Sequence, residues 1–447
     1  MTKLSKTDIL QCLLDDAKKA GAETCDGLIY DSLSHSVSVR LGEVEDIERS
    51  ETQDLGLRVM IGQRQASVST TDHSRASLRE TAARCVAMAK AAPEDKYCGL
   101  APKDRLAKGP FQDLELLDPS APSTDDLKTM ALACEDAARA VKGVTNSSGG
   151  GASFGSASVS FATSDGFIGA SEGGSHSVSA SVIAGEGEKM ETDYDYDSAV
   201  FLSDLRDAAE IGTEAGTRTV AKLNPEKINS QTASVIFEQR LSASLIGHLS
   251  GAINGAAIAR GVSFLKDKMG TQIFSDKINV IDDPHKKRGF GSRPFDGEGL
   301  ANERLKVIDK GVLTTWFTNA SQAKQLDITS SARARRGTGG PPGSGSTNLY
   351  LENGEHSLEE LLQQAGTGLY LTSSFGPQVN SNTGDYSVGC SGFWIENGLI
   401  AKPVSEITIA GNILDMFRTL IPANDLKFKG STNAPSILIP EMTIAGS

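Results

Sequence analysis

The sequence predicts an α+β protein of two domains, mainly antiparallel sheets with packed helices. Three observations carry this reading. Period-2 alternation recurs in runs bounded by turn residues, as in Ser34-His35-Ser36-Val37-Ser38-Val39-Arg40, which is the pattern of half-buried strands. Helical periodicity is confined to separated blocks, such as 74–91 and 124–142. One further helix, from about Glu238 to Gly261, lies among strand-forming segments and is lean in side-chain bulk. It is expected to pack centrally against a curved sheet. Asn224-Pro225 ends a helix and marks the boundary. An N-terminal α+β domain spans 1–225 and a C-terminal β-rich domain spans 226–447.

Taken in order, residues 6–20 form an amphipathic helix capped by Ser5 or Thr7. A meander follows: 27–40 pairs with 43–49 across Leu41-Gly42, and 54–61 pairs with 65–70 about Gly62-Gln63. The helix 74–91 places Leu78, Ala82, Cys85, Val86 and Ala89 on one face. A Pro/Asp/Gly-rich connector covers 93–122, and Ser123-Thr-Asp-Asp opens the next helix with a cap and favourable charge. Residues 144–186 are rich in Ser, Gly and Ala, yet Val159, Phe161, Phe167, Val178 and Val182 keep strand alternation. Strands at 152–163, 167–170 and 176–184 are expected, followed by a helix over 203–222. This order reads as a repeat of the first half-domain, although the two halves share little sequence. In the C-terminal half the hairpins turn at Asp309-Lys310-Gly311 and Asn397-Gly398, with short helices at 321–326, 357–364 and 412–420.

Composition bounds the function. The chain of 447 residues carries 44 Lys and Arg against 57 Asp and Glu, a net charge of −13. That balance argues against a general nucleic-acid or anionic-membrane surface. No apolar run reaches the roughly 18 residues of a membrane span, and the N-terminus lacks an apolar signal region. The six cysteines form no Cys-x-x-Cys pair, as expected for reduced thiols of a cytoplasmic protein.

Four stretches invite a chemical reading. His248 sits mid-way along the lean helix. A zinc peptidase would place a glutamate beside it and a second histidine about a turn later. Here Leu249 follows, and Ile253 stands at the second position. One imidazole is not a zinc site. Glu191-Thr-Asp-Tyr-Asp-Tyr-Asp197 could bind a hard cation but reads better as a strand with outward carboxylates. His285, among Lys286, Lys287 and Arg288, reads as a solvated loop rather than an anion site. Residues 331–347, rich in Gly, Pro and Arg, lack the strand-before, helix-after setting of a phosphate loop and read as mobile surface or as arginines facing a carboxylate.

Gly384-Asp-Tyr-Ser, Gly392-Phe-Trp-Ile-Glu-Asn-Gly, Pro403-Val-Ser-Glu-Ile-Thr-Ile-Ala-Gly-Asn412 and Pro440-Glu-Met-Thr-Ile-Ala-Gly446, with Gly247-His-Leu upstream, carry a resemblance. The chain resembles the PmbA/TldE branch of the TldD/PmbA proteins over its whole length, most strongly from residue 232 onward. The resemblance implies a bacterial cytoplasmic zinc metalloprotease pair, once labelled a modulator of DNA gyrase. In that pair the TldD-type subunit carries HExxxH and a C-terminal cysteine ligand.

Mapped onto this chain, His248 matches the first histidine, Leu249 replaces the glutamate and Ile253 the second histidine. The stretch Phe428-Lys-Gly-Ser-Thr-Asn-Ala-Pro435 has no cysteine, and Cys390 lies in another segment. Loss of the water-activating carboxylate alone removes roughly 10²–10⁴-fold of general-base help. The resemblance therefore implies no catalytic residue, metal or cofactor in this chain, with zinc on a TldD-type partner. It implies a heterodimer acting on extended, unfolded or short peptides, including peptide-antibiotic precursors and antitoxins; whether the chain forms a homodimer in isolation stays open. Phe375, Gly376, Gln378 and Val379 are the expected peptide-facing strand. The alternatives are a self-sufficient peptidase with another metal site, or a non-enzymatic protein-binding modulator of DNA gyrase.

Overall fold

A computed structural model describes residues 5–376 and 379–446. The N-terminal part contains two helix–three-strand–helix units. The first is α1 (Lys6–Ala20), β1 (Thr24–Arg40), β2 (Glu43–Ile61), β3 (Arg64–Thr70) and α2 (Arg75–Ala91). The second is α3 (Thr124–Ala140), β4 (Val144–Thr163), β5 (Ile168–Ala184), β6 (Glu191–Ala199) and α4 (Ala208–Ala221). Capping boxes start α1 and α3: Ser5 with Asp8, and Ser123 with Asp126. The six strands form one antiparallel sheet in the order β3-β2-β1-β4-β5-β6, so the two units meet at β1 and β4.

Each helix pair buries its own end of the sheet. Leu10, Leu13, Leu78 and Cys85 pack on Leu55, Leu57 and Val59, while Leu127, Cys134, Ile211 and Ala215 pack on Val37, Val39, Val178 and Val182. Gly212 sets the approach of α4 to α3, since a Cβ there would lie 1.9 Å from the Cys134 carbonyl oxygen. The strands are longer than the side-chain pattern predicts. β2 and β5 run unbroken through polar stretches because backbone pairing, as in Ser34 with Ser50 and Ala157 with Gly173, needs no apolar side chain.

The C-terminal part begins with β7 (Gln231–Phe237), α5 (Gln239–Ala252), α6 (Gly255–Ala259), β8 (Val280–Asp282), β9 (Leu305–Asp309), β10 (Val312–Leu313) and α7 (Ala320–Gln325). It continues with β11 (Ala334–Arg335), β12 (Gly343–Ser344), β13 (Leu349–Leu351), α8 (Leu358–Ala365), β14 (Gly368–Phe375), β15 (Asp385–Glu396) and β16 (Leu399–Asn412). α9 (Ile413–Thr419), β17 (Ile421–Pro422), β18 (Thr432–Asn433) and β19 (Ile437–Ala445) complete it. The order β16-β15-β14-β7-β19 closes on itself because β19 also pairs with β16 through Ile409 and Ile444. This is the curved sheet, drawn into a barrel. A second sheet, β10-β9-β8-β13-β18, lies opposite. α5 contacts β14 of the barrel and β13 and β18 of the second sheet. Its Leu245 and Leu249, with Ile253 just past its end, share one core with Phe237, Leu371, Ile409, Val280 and Leu349. The α+β class is as the sequence predicts.

Buried charge joins the N-terminal sheet to the C-terminal part. Asp26, fully buried on β1, pairs with Arg58 at 2.6 Å and with Arg336 at 2.9 Å. Gly56 faces Thr338, where a Cβ would lie 2.4 Å from the backbone oxygen. Arg333, also fully buried, pairs with Asp282. The Gly/Pro/Arg stretch is thus an ordered clamp and not mobile surface. Its carboxylate partners lie far off in the chain.

Glu298 lies near the same seam, 3 % exposed, and accepts from the Ala320 N–H at 2.8 Å. Burial, reinforced by the neighbouring Asp296 charge, pushes its carboxyl from 4.5 up to about 7. The folded chain then keeps this proton to higher pH than the unfolded chain. The stability it confers is full below about pH 4.5 and is lost as pH rises through about 7. Glu298→Gln keeps the acceptor and is expected to flatten this slope, raising stability by about 1–3 kcal/mol at mildly alkaline pH. Urea unfolding at a series of pH values measures it; parallel slopes for parent and variant would contradict the assignment.

Candidate functional site

The lean helix is the natural place to look for chemistry. The sequence reads it as continuous to Gly261, but the structure breaks it at Ile253-Asn254. The Ile253 carbonyl accepts from the Phe317 N–H at 2.9 Å, and the Gly255 N–H donates to the Phe317 carbonyl at 2.7 Å. The Asn254 side chain caps α6 by accepting from the Ala256 N–H, while its amide donates to the Ser344 carbonyl at 2.8 Å. A tertiary strand contact and a local cap together outcompete one more turn of helix.

His248 is half-buried, its ring 6.2 Å from that of Tyr386 in an edge-to-face arrangement. Leu249 and Ile253 are fully buried core residues. Cys390 lies in the same core, and burial pushes its thiol up to about 12. Among the described residues, no three His, Cys, Asp or Glu side chains come together in a way that could hold a metal ion. One imidazole followed by a buried leucine and a buried isoleucine does not supply the three or four protein donors that zinc takes. On the side of the helix away from Leu245 and Leu249, a Cβ added at Gly247 or Gly251 would meet no atom of the described residues within 4 Å.

Charge gathers at the start of α5. Arg240, 6 % exposed, pairs with Asp193 and Glu238, each at 3.0 Å, and Lys222 pairs with Asp193 at 2.9 Å. Arg218 also pairs with Glu238. Burial alone would raise the Asp193 carboxyl, but the hydrogen bonds and charges of Arg240 and Lys222 hold it below its ordinary value. Asp195 pairs with Arg206 at 2.7 Å, and Asp197 lies 3.8 Å from Lys429. The carboxylates of β6 therefore point inward, and Tyr194 faces out, 45 % exposed. The outward reading is corrected: this strand spends its acids on holding α4, α5 and the 427–430 segment. Sequence reasoning missed the network because its members come from three separate elements.

The basic loop after β8 is tied down as well. His285 bonds Asn302 at 2.8 Å, Arg288 pairs with Glu115 and Asp204, and Lys286 lies 3.6 Å from the centre of the Phe428 ring. Of the expected peptide-facing residues, Phe375 ends β14 with its ring over Gly389 and 61 % exposed. Gly376 follows it, also exposed, and Val379 forms a single bridge to Tyr386. Gln378 lies outside the described residues.

Comparison with known families places this architecture. The family described as PmbA/TldA metallopeptidase matches in three parts: domain 1 over 25–89, the central domain over 117–223 and the C-terminal domain over 230–446. The chain belongs to the PmbA/TldD metallopeptidase family. Within that family it is 35% identical to the metalloprotease PmbA of Escherichia coli O157:H7, covering 100% of this chain and 99% of the relative. It is 33% identical to a metalloprotease PmbA homologue of Haemophilus influenzae, covering 96% and 94%. A crystal structure from Bacteroides thetaiotaomicron, described in connection with modulation of DNA gyrase, superposes with a TM-score of 0.92 at 29% identity, covering 100% of both chains. TldE of Thermococcus kodakarensis shares the fold with a TM-score of 0.87 at 21% identity, covering 98% of this chain and 100% of that one. Among the described residues, no helix is long and apolar enough to cross a membrane.

Proposed function

We propose that this chain is the non-catalytic, TldE/PmbA-type subunit of a heterodimeric zinc metalloprotease in the cytoplasm. One observation carries the reading. On the helix where the family's catalytic members place a carboxylate and a second imidazole, this chain has Leu249 and Ile253, both fully buried. Those two side chains build the core, so neither can be a ligand or a base. A TldD-type partner would hold the zinc and the water that attacks the peptide carbonyl. This chain's part is to complete and wall the chamber, and Gly247 and Gly251, with no atom of the described residues within 4 Å of an added Cβ, suit the approach of another chain. Extended peptides, unfolded or short, would lie along the exposed strand end at Phe375 and Gly376, held largely by main-chain hydrogen bonds.

The test is peptidase activity on an unfolded peptide with this chain alone, a TldD-type partner alone and the two mixed, with zinc measured in each. Activity that needs the mixture, with zinc following the partner, is the expected result. Chelator-sensitive activity from this chain alone at stoichiometric zinc would overturn the reading.

A further inference from the structure

The N-terminal sheet leaves one long strand edge unpaired. β2 pairs with β1 along its whole length, but β3 covers it only from Leu55 onward. Glu43–Asp54 therefore has a partner on one side only, and among the described residues no backbone hydrogen bond reaches its outer edge. The second unit of the sheet shows what closing such an edge looks like. β6 covers β5 only over His176–Ala184, and chain from elsewhere meets the remainder. The Gly174 N–H donates to the Leu116 carbonyl at 2.7 Å, and the Phe295 ring packs on Gly169. The edge met in this way is built of Gly, Ala and Ser with one Ile and one Glu, whereas the bare edge is acidic.

That edge carries Glu43, Glu45, Asp46, Glu48, Glu51 and Asp54 against the single cation Arg49, which pairs with Glu51 at 2.7 Å. Ile47 stands among them, 50% exposed. An open row of N–H and C=O groups is a template for an added strand. The carboxylates choose among strands. A second copy of the same edge would set acid against acid, and so would any acidic segment. We propose that the outer edge of β2, Glu43–Asp54, docks a second polypeptide that adds a strand bearing lysine or arginine. This rests on the edge and its charge, and stands or falls apart from the subunit reading.

The experiment uses the full chain and a labelled peptide of alternating lysine and valine. Its controls are the glutamate–valine counterpart and a copy N-methylated at every second residue, which removes backbone donors while keeping the charge. Fluorescence anisotropy gives affinity, and hydrogen exchange locates the contact. The expected result is binding of the lysine peptide, slowed exchange across 43–54 and loss of binding on N-methylation. Glu45→Lys with Glu48→Lys should weaken binding by roughly tenfold or more, and Glu45→Gln with Glu48→Gln by less. No binding overturns the proposal. So does equal binding of the glutamate peptide, binding that survives N-methylation, or binding without protection of the β2 edge.

Discussion

Leu249→Glu is expected to destabilise the chain by about 3–5 kcal/mol and to confer no peptidase activity. The substitution restores on paper the carboxylate that a zinc peptidase needs beside His248. In the fold it forces that carboxylate into a core where Leu249 is fully buried against the barrel and the second sheet. Adding Ile253→His does not supply the missing ligand. Ile253 is equally buried, and its backbone is tied to Phe317 where the helix ends. Urea midpoints and the zinc content of Leu249→Glu, alone and with Ile253→His, measure both halves of the expectation. Stoichiometric zinc at parental stability would show that this helix can still be a metal site.

A loss of similar size, about 3–5 kcal/mol, is expected for Arg333→Met. The Arg333 and Asp282 side chains are both at 0% exposure, so removing the cation strands a carboxylate in the core. Asp282 would retain the Thr347 N–H at 2.6 Å and the Thr347 hydroxyl at 2.8 Å, which do not neutralise its charge. The carbonyl of Glu303, which accepts from Arg333 at 2.6 Å, would lose its donor as well. Pairing Arg333→Met with Asp282→Asn removes both charges and should recover most of the stability. Additive losses in that double-mutant cycle, read from urea unfolding, would show that the pair does not act as a unit.

Local chemistry decided a good part of this molecule. The capping boxes at Ser5 and Ser123 set their helices, because the donor and acceptor stand three residues apart. Asn397 and Gly398 take positive φ of 51° and 76° and turn β15 into β16, because those residue types tolerate that backbone. The residues beside His248 were legible one by one: a leucine at 249 cannot polarise water, whatever surrounds it. Periods of two and of 3.6 distinguished most strands from most helices, since each reports which face is buried.

Tertiary structure decided what depends on distant partners. Asp26 meets Arg336 across 310 positions, and Asp193 meets Arg240 across 47. No short window of sequence shows that either acid is buried, so the β6 carboxylates read as outward, and the arginine loop reads as mobile surface or as arginines facing a carboxylate that sequence does not identify. The break after Ile253 is set by Phe317, and the barrel closes only when the last strand reaches β16. The sequence by itself determined which residues favour helix, strand and turn and that Leu249 and Ile253 follow His248, since those are matters of side-chain chemistry over a few residues. Only the tertiary structure decided which charges are buried, where the central helix stops and which strand edge stays open. Those outcomes are settled by desolvation and hydrogen bonding between groups that the chain brings together only on folding.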